Sequence, residues 1–390
     1  MICKICGKED CKKHEFFLGQ TKTLKYIKEF SGSSPPEIFV GKWDYPNVYT
    51  GILAPQEYGE TKVFSSPELW HENKLKIPQI LEFRKKLIYG RVKSNIKKIP
   101  QTGNFNQVFQ EIAMTSRPIA TEFKLKKPIE KHKEQETSVP LIKNAALISQ
   151  VRLEENSKIE TKVDYLVNDT DAKTSQSIIE LNNSKIDTST IIKILSAGLL
   201  GTAKNRKLVP TRWSITAVDD ILSKNNLKEI KYYPTINEIL IFTAEYLGNH
   251  YEFLLLPEPW SFEVIEISLK SDGLWQDSEE FFGRKTYASS VTGAYYVNRL
   301  ALTEYLKKIK RQCKCLVMRQ VSEEYYAPLG VGILRQVSRE AFSKQPRAFA
   351  SINQALEDIQ TRIKIPITTY TNKSNLLKNY GKQKRLESWF

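Results

Sequence analysis

The chain has 390 residues, 41% of them hydrophobic, and a formal net charge of +15. That length exceeds one typical core, so two domains with appendages are expected, and a positive excess this large concentrates polyanions, nucleic acid first among them. No apolar run reaches the 18 residues of a membrane span, which excludes a membrane partner, and the Met-Ile-Cys-Lys start lacks the apolar core of a secretion signal; the expected compartment is a reducing cytoplasm, close to the nucleoid.

Within residues 1–20, Cys3, Cys6, Cys11 and His14 form the pattern C-x2-C-x4-C-x2-H. Two chelating pairs, each separated by two residues, can wrap tetrahedrally round one Zn²⁺. So short a segment has almost no core to order it otherwise. Of the four ligands His14 is the most replaceable, since a Cys or carboxylate from elsewhere can take its place.

Residues 35–125 read as the first α/β part of the body. Residues 37–41 and 45–51 have strand character around a turn, residues 80–87 carry helical apolar spacing, and a further helix starts at Asn104. Between positions 74 and 98 lie nine Lys or Arg, Lys85, Lys86 and Lys93 among them, against Glu82 alone. Such a run is either a phosphate-contacting patch or a solvated helix face. Residues 126–190 are polar and read as a loop or hinge region, with His132 solvated and 166–188 capping the next helix.

The main α+β body is expected over 191–365. A helix at 191–200 is followed by Arg206, Lys207 and Leu-Val-Pro-Thr-Arg-Trp-Ser at 208–214. Ser214 is the natural N-cap of a helix ending near Lys224, and with Arg206, Lys207 and Arg212 that helix end makes an anion site. Trp213 either stacks a base there or belongs to the core. Three strands at 236–247, 251–256 and 262–269 read as a meander, with His250 structural at a turn. The segment 277–287 alternates acids, aromatics and bases, and the longest helix is expected from Ser289 to about Lys310. Arg299 and Glu304 inside it need partners, as scaffold or as part of a pocket. Cys313 and Cys315 lie on a buried strand and serve packing rather than metal. Arg335 and Arg339, four apart beyond a Pro/Gly turn, share a helical face with room for phosphates or acids.

Residues 366–390 read as a basic tether ending in Gln383, Leu386, Trp389 and Phe390. One helical turn sets the last three on one side as an apolar plug, with Gln383 at its rim. The spacing resembles the PIP box, the peptide through which DNA-repair proteins dock on the sliding clamp PCNA. The alternative is a terminal amphipathic helix folded onto its own domain.

Taken together, the segments FVG, YPNVYTG, LSAGLLG, KLVPTRWSITAVDD, GRKTYA, GAYYVNRLALTEYL, YYAPLGVG and the terminal octapeptide resemble the archaeal Nre family of DNA-repair proteins over nearly the whole chain. The resemblance implies a role in the DNA-damage response through PCNA and an N-terminal zinc finger on Cys3, Cys6, Cys11 and His14. Trp389-Phe390 departs from the Phe-Phe or Phe-Tyr of many PIP boxes, which leaves affinity open.

Two other readings stand beside a clamp-tethered factor that holds DNA by its phosphates. One is an enzyme on damaged DNA or nucleotides, a glycosylase, lyase or phosphohydrolase. Its candidate carboxylates are Asp277, Glu279 or Glu280 near Arg284, Lys285 and Tyr287, or Asp219 near Arg212, with Tyr295 or Tyr296 stacking an extruded base. The sequence contains no P-loop, no H-E-x-x-H and no paired carboxylates of a recognised nuclease. The other is a non-catalytic scaffold. The expected fold is α+β, with one central mixed or antiparallel sheet, several helices, a zinc knuckle and a flexible C-terminal tail.

Overall fold

The computed structural model describes residues 27–97, 104–133 and 136–382. The chain divides into two units, the first made of residues 1–222 and 326–333 and the second of 223–325 and 334–390.

The first unit carries strands β1 (Glu29–Ser34), β2 (Glu37–Val40), β3 (Asn47–Ala54), β4 (Ile88–Asn95), β5 (Ile119–Leu125), β6 (Glu130–Lys131) and β7 (Asn144–Leu153). Its helices are α1 (Pro67–Glu72), α2 (Ile77–Lys86), α3 (Phe105–Met114), α4 (Thr161–Asn168), α5 (Thr174–Asn183) and α6 (Thr188–Ser196), with the first part of α7 (Thr211–Ile230). The sheet runs β1-β5-β7-β4-β3-β2, with β6 also on β7. Its neighbours are antiparallel except β4 and β7. β3 and β4 approach closely at Gly51, where a Cβ would stand 2.2 Å from the Gly90 carbonyl oxygen, so any side chain there would part the two strands.

Residues 126–190, expected as a loop, hold an inner strand of this sheet and two helices. The reason is economy of apolar residues. Ala145, Ala146, Ile148 and Val151 of β7 are buried, and the buried apolar residues of α4 and α5 are Val163, Leu166 and Val167, and Ile178 and Leu181, among polar neighbours. Two or three apolar positions per helix leave little periodicity to read. His132 is buried rather than solvated, its Nδ1 3.2 Å from Nη1 of Arg91.

The second unit carries β8 (Ile239–Tyr246), β9 (Asn249–Leu256), β10 (Ser261–Ser268), β11 (Leu274–Glu279), β12 (Lys314–Val321) and β13 (Arg347–Phe349). Its helices are the end of α7, α8 (Gly293–Ile309), most of α9 (Val331–Ser343), α10 (Ile352–Gln360), α11 (Ile367–Lys373) and α12 (Asn375–Lys378). The strands stand in the order β11-β10-β12-β9-β8-β13. The expected meander is therefore broken. β8 and β9 form the hairpin, turned at Leu247 (φ 51°) and Gly248 (φ 72°) as a type I′ loop requires. But β12 inserts between β9 and β10, antiparallel to one and parallel to the other. All eight residues of β12 are buried, as a strand with neighbours on both edges and cover on both faces must be.

Period-two alternation sorts this sheet into two faces. Ile241, Leu254, Ile265, Leu316 and Met318 face a core completed by Ala355, Ile359, Tyr370 and Leu376 of the C-terminal helices. Phe242 and Phe253 point the other way and meet Tyr305 of α8 and Phe342 of α9, with ring centroids 4.7–5.0 Å apart. The fold is thus α+β with two sheets rather than one. Among the described residues the longest helix is α7, not α8, and it begins at Thr211, so Ser214 lies inside it and is not its N-cap. The chain through Lys382 is also packed where a tether from residue 366 was expected. Tyr370 and Leu376 are buried, and the carboxylate of Glu263 accepts hydrogen bonds from the Ser374 hydroxyl and the amides of Asn375 and Leu376.

Candidate nucleic-acid interface

The end of α7 and the residue after it set Lys224, Leu227, Lys228 and Lys231 along one side by their i, i+3, i+4, i+7 spacing, with Leu227 buried as the anchor. Opposite runs the loop after β11, with Phe282, Gly283 and Arg284. Together with Tyr232, Glu279 and Arg299 these residues line a cleft of about 430 Å³. Five of its ten lining residues are cations and one, Glu279, is an acid. That acid is already committed. Its Oε2 accepts from Nη1 of Arg299 at 2.6 Å and its Oε1 from Nε1 of Trp260 at 3.1 Å.

The loop is held in place by Asp277. Its Oδ2 accepts from the backbone amides of Ser290 and Val291 at 2.9 and 2.6 Å, and its Oδ1 pairs with Nη2 of Arg284 at 3.1 Å. Arg284 also donates to the Ser278 carbonyl at 2.7 Å, which aims its guanidinium along the cleft. Burial pulls the Lys231 ammonium below its ordinary pKa; Glu279 opposes this and Arg299 adds to it. A bound anion would relieve the Lys231 ammonium of that cost. Aromatic rings stand at the rim. Tyr232 is 89% and Phe282 74% exposed, Lys231 lies 5.1 Å from the Phe281 ring centre and Lys224 6.0 Å from that of Tyr287. Cations gathered along one cleft are the components of a phosphate-binding groove.

Of the residues singled out in the sequence, Arg284 lines this cleft, while Lys285 and Glu280 are exposed on its loop. Lys224, Lys228 and Lys231 were missed, although their helical spacing is legible, because the helix was expected to stop near Lys224. Asp277 serves the backbone, and Asp219 is buried on α7. Arg335 is buried on α9, and Arg339 makes a two-point contact with Glu304 at 2.8 and 2.6 Å. The run from 74 to 98 divides. Arg84 is buried against Glu37, Arg91 pairs with Glu130, and Lys85, Lys86 and Lys93 pair with Glu82, Glu57 and Asp44. Arg206 spends its guanidinium on the carbonyls of Gly201 and Asp169 at 2.9 and 2.8 Å, while Lys207 is exposed and Arg212 half-buried. Cys313 and Cys315 are buried as expected, and burial pushes both thiols well above their ordinary range. Cys3, Cys6, Cys11 and His14, and Gln383, Leu386, Trp389 and Phe390, lie outside the described residues. Among the described residues no group of three or more His, Cys, Asp or Glu is placed to hold a metal, and no helix is long and apolar enough to cross a membrane.

The family model described as archaeal Nre, N-terminal, matches residues 5–276, and that described as archaeal Nre, C-terminal, matches residues 279–389. The chain belongs to the archaeal Nre family. It is 33% identical to the DNA repair protein NreB of Archaeoglobus fulgidus over 367 residues, covering 92% of this chain and 91% of that protein. It is likewise 33% identical to the DNA repair protein NreA of the same organism, with 92% and 91% covered, and 30% identical to the DNA repair protein NreA of Haloferax volcanii, with 88% and 86% covered. No solved structure matches it. The seam between the two Nre matches falls inside β11, so the second sheet draws β8 to β10 from one and β12 and β13 from the other.

Proposed function

We propose that this Nre protein is a DNA-repair factor that holds DNA by its phosphates in the cationic cleft of the second unit and is recruited by the sliding clamp PCNA. The repair role is supported by likeness, over 88–92% of this chain, to proteins named for it. The observation that carries the binding reading is the cleft itself, where Lys224, Lys228, Lys231 and Arg284 stand over a floor on which Arg299 already neutralises the acid Glu279. Its cations address backbone charge, so binding is insensitive to sequence and placement comes from the clamp. Gln383, Leu386, Trp389 and Phe390 are the docking residues. In sequence they directly follow a segment that Glu263 and Glu258 tie to the second unit. Cys3, Cys6, Cys11 and His14 are a donor set suited to one structural Zn²⁺. Metal analysis of the full chain is expected to give one zinc, absent when Cys3 and Cys6 become Ser.

The binding claim is tested by titrating duplex DNA with the full chain at several salt concentrations. The triple variant Lys224→Ala, Lys228→Ala, Lys231→Ala is expected to flatten the plot of log affinity against log salt by about 0.9 for each phosphate that is no longer neutralised. An unchanged slope contradicts it.

A further inference from the structure

The first unit carries a second feature that the cleft does not explain: exposed aromatic rings gathered at one end of its sheet. The turn between β2 and β3 exposes Trp43 and Tyr45, and the first turn of α7 exposes Trp213. Backbone hydrogen bonds bring these segments together. The Ile96 amide donates to the Pro46 carbonyl at 3.0 Å, the Leu208 amide to the Ile96 carbonyl at 2.9 Å, and the Val40 amide to Oγ1 of Thr211 at 2.9 Å. The rings of Tyr45 and Trp213 meet as a result, 5.1 Å between centroids, with Trp213 still 44% exposed and Tyr45 45%.

Large rings left in water on a rigid frame are costly unless something covers them. The surrounding charge says what. Lys42 stands 4.9 Å over the Trp43 ring, and Lys97, Lys207 and Arg212 flank the same three segments. The acid of this turn, Asp44, is paired with Lys93 at 2.6 Å. An apolar protein partner would find no match for those cations. A chain of bases on a phosphate backbone matches both, because every base has a face to stack and every link has a charge to neutralise. Inside a duplex the base faces are already stacked, so the platform selects unpaired strands.

We infer that Tyr45 and Trp213, with Trp43 beside them, form a base-stacking platform for single-stranded nucleic acid, separate from the cleft of the second unit. The test uses the full chain and two fluorescent probes, a 20-nucleotide oligo-dT and a duplex of equal length, at fixed salt. The double variant Tyr45→Ala, Trp213→Ala is expected to weaken binding of the oligo-dT about tenfold or more and to leave duplex binding unchanged, whereas Trp213→Phe, which keeps a stacking face, retains most of the affinity. Both alanine substitutions are at exposed positions, and an unchanged thermal midpoint confirms that the frame is intact. Equal losses on the two probes, no loss on either, or a Phe variant as weak as the Ala variant overturns the platform. Because the lysine variants of the cleft are scored on duplex and these on single strands, failure of one claim is distinguishable from failure of the other.

Discussion

Arg299 and Glu279 meet at 2.6 Å with both side chains almost wholly out of solvent, and together they form the floor of the cationic cleft. Glu279 spends its hydrogen bonds on Arg299 and Trp260 rather than on the lysines above it. The pair also joins α8 to β11. A buried pair gains little over a well-packed apolar one but is expensive to break on one side. Replacing Arg299 with Met strands Glu279 and is expected to lower unfolding free energy by about 3–5 kcal/mol in urea titrations. A loss under about 1 kcal/mol would mean that solvent reaches the carboxylate.

The surface lysines behave oppositely. Lys228→Ala removes an exposed side chain and is expected to change stability by less than about 0.5 kcal/mol while weakening duplex binding. Thermal melts beside the binding titration separate the two effects, and a large drop in the melt would recast this lysine as structural.

Much of this was legible in advance and some was not. The β8–β9 hairpin announces itself in Gly248-Asn249, one residue past the turn pair Leu247-Gly248, and the burial of Cys313 and Cys315 in the apolar run through Leu316, Val317 and Met318. That β12 would sit between β9 and β10 is a long-range pairing, which alternation along one strand does not encode. The C-terminal segment looked like a tether because Lys373, Lys378 and Lys382 dominate its composition, while Tyr370 and Leu376 decide its fate by packing on a sheet face formed far upstream. In the cleft, Arg284 was noticed for its charged neighbourhood. The three lysines run on from the helix end that the sequence suggests near Lys224, through one or two further turns.

Glu263 holds that C-terminal segment. Besides accepting from Ser374, Asn375 and Leu376, it accepts from Nε2 of Gln276 at 2.7 Å, and it is fully buried. With Glu263→Ala, hydrogen exchange is expected to quicken across residues 367–382 before the rest of the second unit. Clamp affinity should stay the same, because Gln383 to Phe390 is intact. Uniform protection across 367–382 in the variant would show that apolar packing alone secures the segment.

His250 supplies a pH signature. Burial alone would lower its pKa, but hydrogen bonds and charges from Glu252 and Glu245 outweigh it and hold the imidazole above its ordinary 6.5. Glu252 is also buried, which would raise its pKa, yet His250, Arg362 and Thr243 bring it below the usual carboxylate value. The raised His250 pKa contributes stability that is fully present below the unfolded value of about 6.5 and fades as pH rises through the folded one; the lowered Glu252 pKa contributes stability that disappears in acid. Wild type is therefore expected to exceed His250→Gln in unfolding free energy near about pH 6 by more than it does near about pH 8. A constant difference between the two across that range would exclude a charged His250.

Removing residues 383–390 is expected to abolish binding to PCNA in calorimetry without moving the thermal midpoint. Retained binding would place the docking surface elsewhere in the chain.

The most direct measurement is photocrosslinking of the full chain to a bromouracil-substituted duplex, with the attached peptides read by mass spectrometry. The account predicts adducts on the rings that edge the cleft, Tyr232 and Phe282, and their disappearance when Lys224, Lys228 and Lys231 are replaced by Ala. Adducts confined to other surfaces, and indifferent to those three lysines, would contradict it.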